Sequence, residues 1–264
     1  MNKKYHNDKT FSSQSNIPIL REITKVIPQP IKSFLEPLDR AIKRTRVFKT
    51  LERKYFQEQI SRDAILDYWS QPPDEGNQPQ HYLPEGGVEG EKISQFLLKI
   101  IDSYAERNDK ILEIGCNIGR NLDYLYRTGF LNLEAIEISE DAVKLLHETY
   151  PETASHAKIY NTPVESSIMD FADEQFDIVF TVAVLYHIHT NSDWIFPEIV
   201  RITRKYLITI ENEYATTSWM HFPRNYKKLF QGIGMKQVEE IDCGKVPEIN
   251  SHYNHFIARV FKKQ

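Results

Sequence analysis

The sequence has only two cysteines, Cys116 and Cys243. They lack the number and spacing of a disulfide framework or a zinc-binding set, and such sparse usage suits a reducing compartment. Nowhere do eighteen apolar residues run together, so no transmembrane helix is expected. The opening stretch MNKKYHNDKTFSSQSN has no apolar core of signal-peptide length, and a cytoplasmic location is the expectation. An excess of positive charge is missing too, since 33 Lys and Arg face 37 Asp and Glu for a net charge of −4. Without an overall basic field, nucleic acid is not an expected partner. Internal repeats and low-complexity tracts are absent. What is present is a chain of 264 residues, 41% hydrophobic, long enough for one well-buried core and an accessory segment.

Residues Met1 to Asn16 are polar without a hydrophobic period and read as a tail that cannot offset its ordering entropy. Further on, Leu38, Ile42, Phe48, Leu51 and Tyr55 recur at helical spacing among Arg40, Lys43, Arg44, Arg46, Lys49, Arg53 and Lys54. A basic amphipathic helix over 38–55 either packs with a solvated cationic face or makes peripheral contact with an anionic membrane. Gln71 to Gly90 holds Pro72, Pro73, Pro79, Pro84, Gly76, Gly86, Gly87 and Gly90, so mostly loop is predicted there. Residues 1–90 are therefore assigned as an accessory region or lid and 91–264 as the main domain. In that domain Ile93, Phe96, Leu97, Ile100 and Ile101 keep a helical period. Short apolar runs follow at Lys110–Gly115, Leu133–Ile138, Ala157–Asn161, Phe176–Val182 and Tyr206–Glu211, separated by helical patterns. Strands alternating with helices imply a parallel sheet covered by helices. Met235–Ile241 and His252–Phe261 have no helical pattern between them and are predicted to close the sheet as an antiparallel pair.

The segment ILEIGCNIGRN, Ile111 to Asn121, reads as a strand ending at Gly115, a turn, and a helix opening near Gly119. Such a turn presents backbone N–H groups and a helix amino end to a ligand at the sheet's carboxyl edge. Glu137 closes the second strand about 20 residues later, the usual place for a carboxylate that accepts from ribose hydroxyls. Glycines alone are weak evidence, because many turns need them for positive φ or close packing. Together with Glu113, Asn117 and Glu137 they favour a nucleotide site over a purely structural turn. A dinucleotide fingerprint would need glycine at 117 and 120, where this chain has Asn117 and Arg120. Asparagine reaches the left-handed region at modest cost, but a bulky arginine is hard to reconcile with the close approach NAD requires.

With these residues the chain resembles the Rossmann-like (class I) methyltransferases that use S-adenosylmethionine (SAM). The family's first motif is matched by Glu113-Ile114-Gly115-Cys116-Asn117-Ile118-Gly119, with its middle glycine replaced. The likeness continues through LEAIEIS, YNTPVES and FDIVFTVAVLYHIH and spans about Glu91 to Lys263. It implies a three-layer α/β sandwich whose mostly parallel seven-stranded sheet has an antiparallel last strand. By resemblance, Glu137 and Ile138 lie at the ribose; Pro163, Val164 and Glu165 near adenine; Thr181, Val182, Ala183 and His187 near the methionine part. Glu113, Gly115, Asn117, Gly119 and Asn121 complete the cofactor set. Tyr82 belongs to it as one of the loop aromatics, with Tyr68, Trp69 and His81, that either fold over the sulfonium or pack on a neighbouring helix. A weaker likeness points to methyltransferases of bacterial sugar and surface-glycan synthesis.

Methyl transfer is an in-line displacement, so the protein mainly aligns the acceptor and excludes water. Should the acceptor carry a proton, His187, His189, Glu211 and Glu213 are the candidate bases beyond the fourth and fifth strands, histidine being better matched to neutral pH. His187 is read equally as a cofactor-positioning residue, and no spacing identifies a metal site. The segment WMHFPRNYKKLF, Trp219 to Phe230, either covers the acceptor or forms a helix with a solvated basic face. Arg224, with His221 and Tyr186, is the candidate acceptor-binding set, Arg224 for a phosphate or carboxylate. The expectation is an enzyme methylating O or N of a small polar molecule, with a sugar or sugar nucleotide as the candidate acceptor. Alternatives are a protein methyltransferase, a SAM-binding regulatory or assembly protein without turnover, and an NAD-dependent oxidoreductase.

Overall fold

Seven runs of strand length form the sheet. A computed structural model describes residues 60–73, 76–84, 88–249 and 253–264. The expected tail, the basic stripe at 38–55 and its membrane contact lie outside the described residues. Helix α1 (Arg62–Ser70) is capped by Ser61, whose hydroxyl accepts from the Ala64 N–H, and it buries Ile65 and Tyr68. A 3-10 turn, Pro79–Tyr82, leads to α2 (Val88–Tyr104). The order then runs β1 (Ile111–Ile114), α3 (Arg120–Arg127), β2 (Leu133–Glu137), α4 (Glu140–Thr149), α5 (Pro151–His156) and β3 (Lys158–Asn161). After these come α6 (Val164–Ser167), β4 (Phe176–Val182), α7 (Ile195–Ile202), β5 (Thr203–Glu211), α8 (Tyr226–Gln231), β6 (Met235–Asp242) and β7 (Ile257–Lys263).

The strand order is β3-β2-β1-β4-β5-β7-β6, with β7 antiparallel to both neighbours and the other pairings parallel. Alternate side chains face opposite layers, as the two-residue strand period demands. Ile111, Ile178, Phe180 and Ile208 join α2, α3 and α4 in one apolar cluster. Leu112, Ile114, Val179 and Leu207 join α7 and α8 in the other. This is the three-layer sandwich expected. Order reverses between β1 and β4, and ligands of open α/β sheets bind at such a switch point, outside the carboxyl ends of the strands.

Two boundaries differ from expectation. The loop predicted through Gly90 ends earlier, because α2 begins at Val88. Gly90 serves close packing: a Cβ there would stand 2.0 Å from the Arg120 guanidinium. The last strand is displaced toward the carboxyl terminus, running Ile257–Lys263 after a turn at Tyr253–His255. Its polar end stays in the sheet because Lys262 pairs on both sides, with Tyr206 and Lys236, and the Lys263 ammonium donates to the carbonyls of Val200 and Thr203.

Candidate active site

The turn after β1 is built on left-handed residues. Gly115 has φ 76° and Gly119 φ 77°, and Asn117 reaches φ 49° as its side chain allows. A Cβ on Gly115 would meet Val184 Cγ2 at 2.5 Å, so the glycine lets the loops after β1 and β4 touch. Glu137 ties this turn to the next one. Its Oε2 accepts from the Asn117 N–H at 2.7 Å and its Oε1 from the Ser139 N–H at 2.8 Å. Burial pushes its pKa up, against the pull of those N–H donors.

Behind the turn a chain of bonds runs from Arg120 to Glu113. Arg120 Nε donates to Ser94 Oγ at 3.2 Å, Ser94 Oγ to Asn121 Oδ1 at 2.6 Å, and Asn121 Nδ2 to Glu113 Oε1 at 2.7 Å. Glu113 is buried, its Oε2 has no partner, and burial pushes its pKa up to about 8.

One cavity of about 700 Å³ opens on this edge. Of the expected cofactor residues, Tyr82, Gly115, Asn117, Asn121, Glu137, Ile138, Val164, Glu165, Val182 and Ala183 line it. Tyr186, His187, His189 and His221 line it as well. Glu113, Gly119, Thr181, Glu211 and Arg224 do not. Gly119 packs instead against Leu146, which a Cβ would meet at 2.6 Å. Thr181 is fully buried and donates to Glu211 Oε1 at 2.8 Å.

Glu211 was a candidate base, but its carboxylate is buried and turned to the protein. It accepts from Thr181, from the Val184 N–H at 3.1 Å and from the Tyr186 N–H at 3.4 Å. It thereby fastens the loop after β4, in which Ala183 holds φ 61°, while burial pushes its pKa up to about 7. The other strand-end candidate, Glu213, is paired with Arg259.

Arg224 is corrected as an anion holder. Its guanidinium donates to the carbonyls of Leu185 (3.2 Å), Phe222 (2.7 Å) and Ile188 (2.9 Å), and to Asp193. Facing a run of carbonyls, it organises the loop after β4 and has its donors used up. In the same segment, the helix predicted over Trp219–Phe230 is confined to Tyr226–Gln231, because Pro223 interrupts it.

Rings cluster at this end of the cavity. His187 lies 3.9 Å from Tyr186, 4.4 Å from Trp69 and 5.1 Å from His221, centroid to centroid. Tyr68 packs edge-on against Trp69 and Trp219, so the loop aromatics divide: Trp69, His81 and Tyr82 line the cavity and Tyr68 supports Trp69. Desolvation, with the nearby His221, lowers the His187 pKa to about 3. A neutral ring therefore donates from Nδ1 to the Met220 carbonyl, 3.0 Å away. His189 is spanned between the Ile60 carbonyl and the Asn191 N–H, and it and His221 are likewise lowered by desolvation. Among the described residues no group of three His, Cys, Asp or Glu side chains could hold a metal ion.

Sequence reasoning missed several lining residues, among them Arg120, Asn212, Tyr253 and Phe256. Arg120 counts in the sequence only as a bar to NAD, although a charged residue beside the turn is itself a signal. Asn212 and Phe256 sit in segments with no motif, and only the fold brings them together. Three lining residues carry buried polar atoms without a hydrogen-bond partner: Asn117 Oδ1, Asn212 Oδ1 and Trp69 Nε1. Buried polar atoms of this kind are ordinarily satisfied.

Residues 112–207 match the family model described as a methyltransferase domain. This stretch, from β1 into β5, is thus similar to a methyltransferase domain, and the sheet around it has the Rossmann-like fold of the SAM-bound enzyme named next. Among solved structures of similar fold, magnesium protoporphyrin IX methyltransferase from Synechocystis PCC 6803, with bound SAM, is 13% identical at TM-score 0.58, covering 77% of this chain and 97% of that one. Geranyl diphosphate C-methyltransferase from Streptomyces coelicolor A3(2) is 12% identical at TM-score 0.54, covering 78% and 96%. A [4+2]-cyclase is 12% identical at TM-score 0.53, covering 64% and 80%. None of the three names a sugar. At this identity the likeness is one of fold. No curated protein matches the chain.

Proposed function

We propose that the cavity binds SAM and a small-molecule acceptor side by side, with methyl transfer between them. The observation that carries this reading is that one cavity joins Glu137, at the end of β2, to His187, in the turn after β4. The residues suit the cofactor. Gly115 and Asn117 bring the turn's backbone to the cavity lining, and Asn117 Oδ1 is a buried acceptor without a donor. In this reading Glu137 accepts from the ribose hydroxyls with its remaining lone pairs, and Ile138, Val164 and Glu165 bound the adenine. Gly115, Val182 and Ala183 bound the methionyl part, and Arg120 supplies the cation for its carboxylate. Glu113, Gly119 and Thr181 support these residues from behind. Bound SAM would supply a methyl carbon on a sulfonium, released with the bonding electron pair returning to sulfur.

The chain's own contribution is alignment and exclusion of water. Helix α1 and the Pro79–Tyr82 turn line the cavity opposite the strand ends, which supports a lid within residues 1–90 and an acceptor small enough to be enclosed. Tyr82 offers an aromatic face to a sulfonium. His187 positions the acceptor through its free Nε2, since a ring with a pKa of about 3 is a weak base at neutral pH.

Calorimetry with S-adenosylhomocysteine, followed by incubation with labelled SAM and a fractionated lysate, tests the proposal. Submillimolar binding and label in small-molecule fractions are the expected results. Label in protein fractions would overturn the small-molecule acceptor in favour of a protein substrate. Binding with no labelled product would favour a non-methylating role, a reading to which the weak basicity of His187 lends some support.

A further inference from the structure

At the His187 end of the cavity, the lining is short of charge. Arg62 is the full cation on that side, and it is about half exposed and paired with Asp63 at 3.2 Å. His187, His189 and His221 are all held toward the neutral form, and Arg224 is turned away into the carbonyls of its own loop. A phosphate or carboxylate entering here would shed water without gaining a buried ion-pair partner, an arrangement proteins avoid. Flat apolar surface is plentiful, from Trp69 and Tyr186 beside His187 to Phe256, whose ring stands 6.0 Å from Tyr186.

Two polar atoms in the same lining lack partners and differ in kind. Trp69 Nε1 can only donate, and Asn212 Oδ1 can only accept. Both are closed to water in the free protein, so each side chain must turn slightly toward the cavity before a ligand can reach it. Trp69 projects from α1, and Asn212 follows β5 directly. The two atoms thus belong to different elements, the first helix and the segment that follows the fifth strand.

We propose that the acceptor is an uncharged, flat, mainly apolar ring compound, stacked among Trp69, Tyr186 and His187 and anchored by hydrogen bonds to the Trp69 indole N–H and the Asn212 amide oxygen. This departs from the sugar nucleotide considered above and rests on the reading of the cavity as a methyltransferase site. A ring with an acceptor oxygen and a separate hydroxyl or ring N–H meets both needs, the first accepting from the indole and the second donating to the amide. Aromatic stacking contributes area at little entropic cost, and the two hydrogen bonds fix orientation.

The test is calorimetry at pH 6.5 on the full chain saturated with S-adenosylhomocysteine. The neutral rings 2-naphthol, 7-hydroxycoumarin and 6-hydroxyquinoline are titrated beside UDP-glucose and glucose 1-phosphate. At least one ring is expected to bind with a Kd below 1 mM (a fragment-scale affinity, about 4 kcal/mol), and neither sugar phosphate to bind. Trp69→Ala should weaken that ring at least tenfold and Trp69→Phe, which keeps the ring face and loses the donor, about threefold to tenfold. Asn212→Leu should weaken it to a similar extent as Trp69→Phe. S-adenosylhomocysteine affinity within threefold of wild type shows that a variant is folded. Binding of a sugar phosphate in preference to every ring, no binding by any ring, or ring affinity indifferent to both Trp69 variants would overturn the proposal. If S-adenosylhomocysteine fails to bind the wild-type protein, it is the methyltransferase site reading that fails.

Discussion

The two ends of the cavity are made in different ways. The end around Glu137 comes mostly from turns that follow adjacent strands, with glycines, a left-handed asparagine and a carboxylate that bridges two loops. The end around His187 is gathered from α1, the turn after β4, the segment after β5 and the turn before β7. The first is local backbone geometry with charge placed in it, and the second is side-chain packing between distant segments. Local geometry dictates residue type strongly, since few residues tolerate positive φ, whereas an aromatic wall accepts many residues of similar volume.

Breaking the backbone of the first end has the largest expected effect. Gly115→Val puts a branched side chain at φ 76°, with its Cβ within 2.5 Å of Val184, and should weaken S-adenosylhomocysteine at least about a hundredfold, or about 3 kcal/mol, by calorimetry. A variant that binds normally would show that the turn is not the cofactor's seat. Next comes Glu137→Gln, which keeps the volume but loses an ionised acceptor; about tenfold to a hundredfold weaker binding is expected.

The tie between the two ends is Glu211. Glu211→Ala strands the buried Thr181 hydroxyl and the Val184 and Tyr186 N–H groups and should cost about 2–4 kcal/mol of stability in urea. The loss of turnover in that variant should exceed the loss of S-adenosylhomocysteine affinity. Equal losses would mean that the loop serves the cofactor end alone.

Acidity offers a finer probe. Glu113 in the folded protein titrates near 8, above its ordinary value of 4.5, so the fold retains a proton that the unfolded chain has released. Its contribution to stability is therefore fully present below about pH 4.5 and is lost as pH rises toward 8, at up to about 1.4 kcal/mol per pH unit. Glu113→Gln should flatten the urea midpoint against pH between 5 and 8; an unchanged slope would reassign that dependence to other groups such as Glu211. The smallest effect is expected of His187→Ala on S-adenosylhomocysteine binding, within about twofold, since its ring belongs to the acceptor wall. A large loss would move His187 to the cofactor end.

The sheet and its cofactor edge were legible because strand period, glycine placement and the Glu137 spacing are all properties of contiguous residues. Even Asn117 in place of glycine was readable as left-handed. Thr181 and Glu211 were taken for lining residues because their place at strand ends was visible while the direction of their side chains, set by pairing with each other, was not. Arg224 failed for a related reason: a basic residue in an aromatic segment suggests a ligand, but the carbonyls of Leu185 and Ile188 lie far away in sequence. Asn212 had no motif around it at all.

The bridge that Glu137 makes between Asn117 and Ser139 has a thermodynamic consequence. Both turns are already fastened to one carboxylate, so a nucleoside entering between them orders little further chain and surrenders little conformational entropy. At the His187 end, by contrast, the Trp69 indole N–H and the Asn212 amide oxygen are still unsatisfied. Enthalpy still to be gained is thus concentrated at the end where the partner varies, and rigidity at the end where it does not.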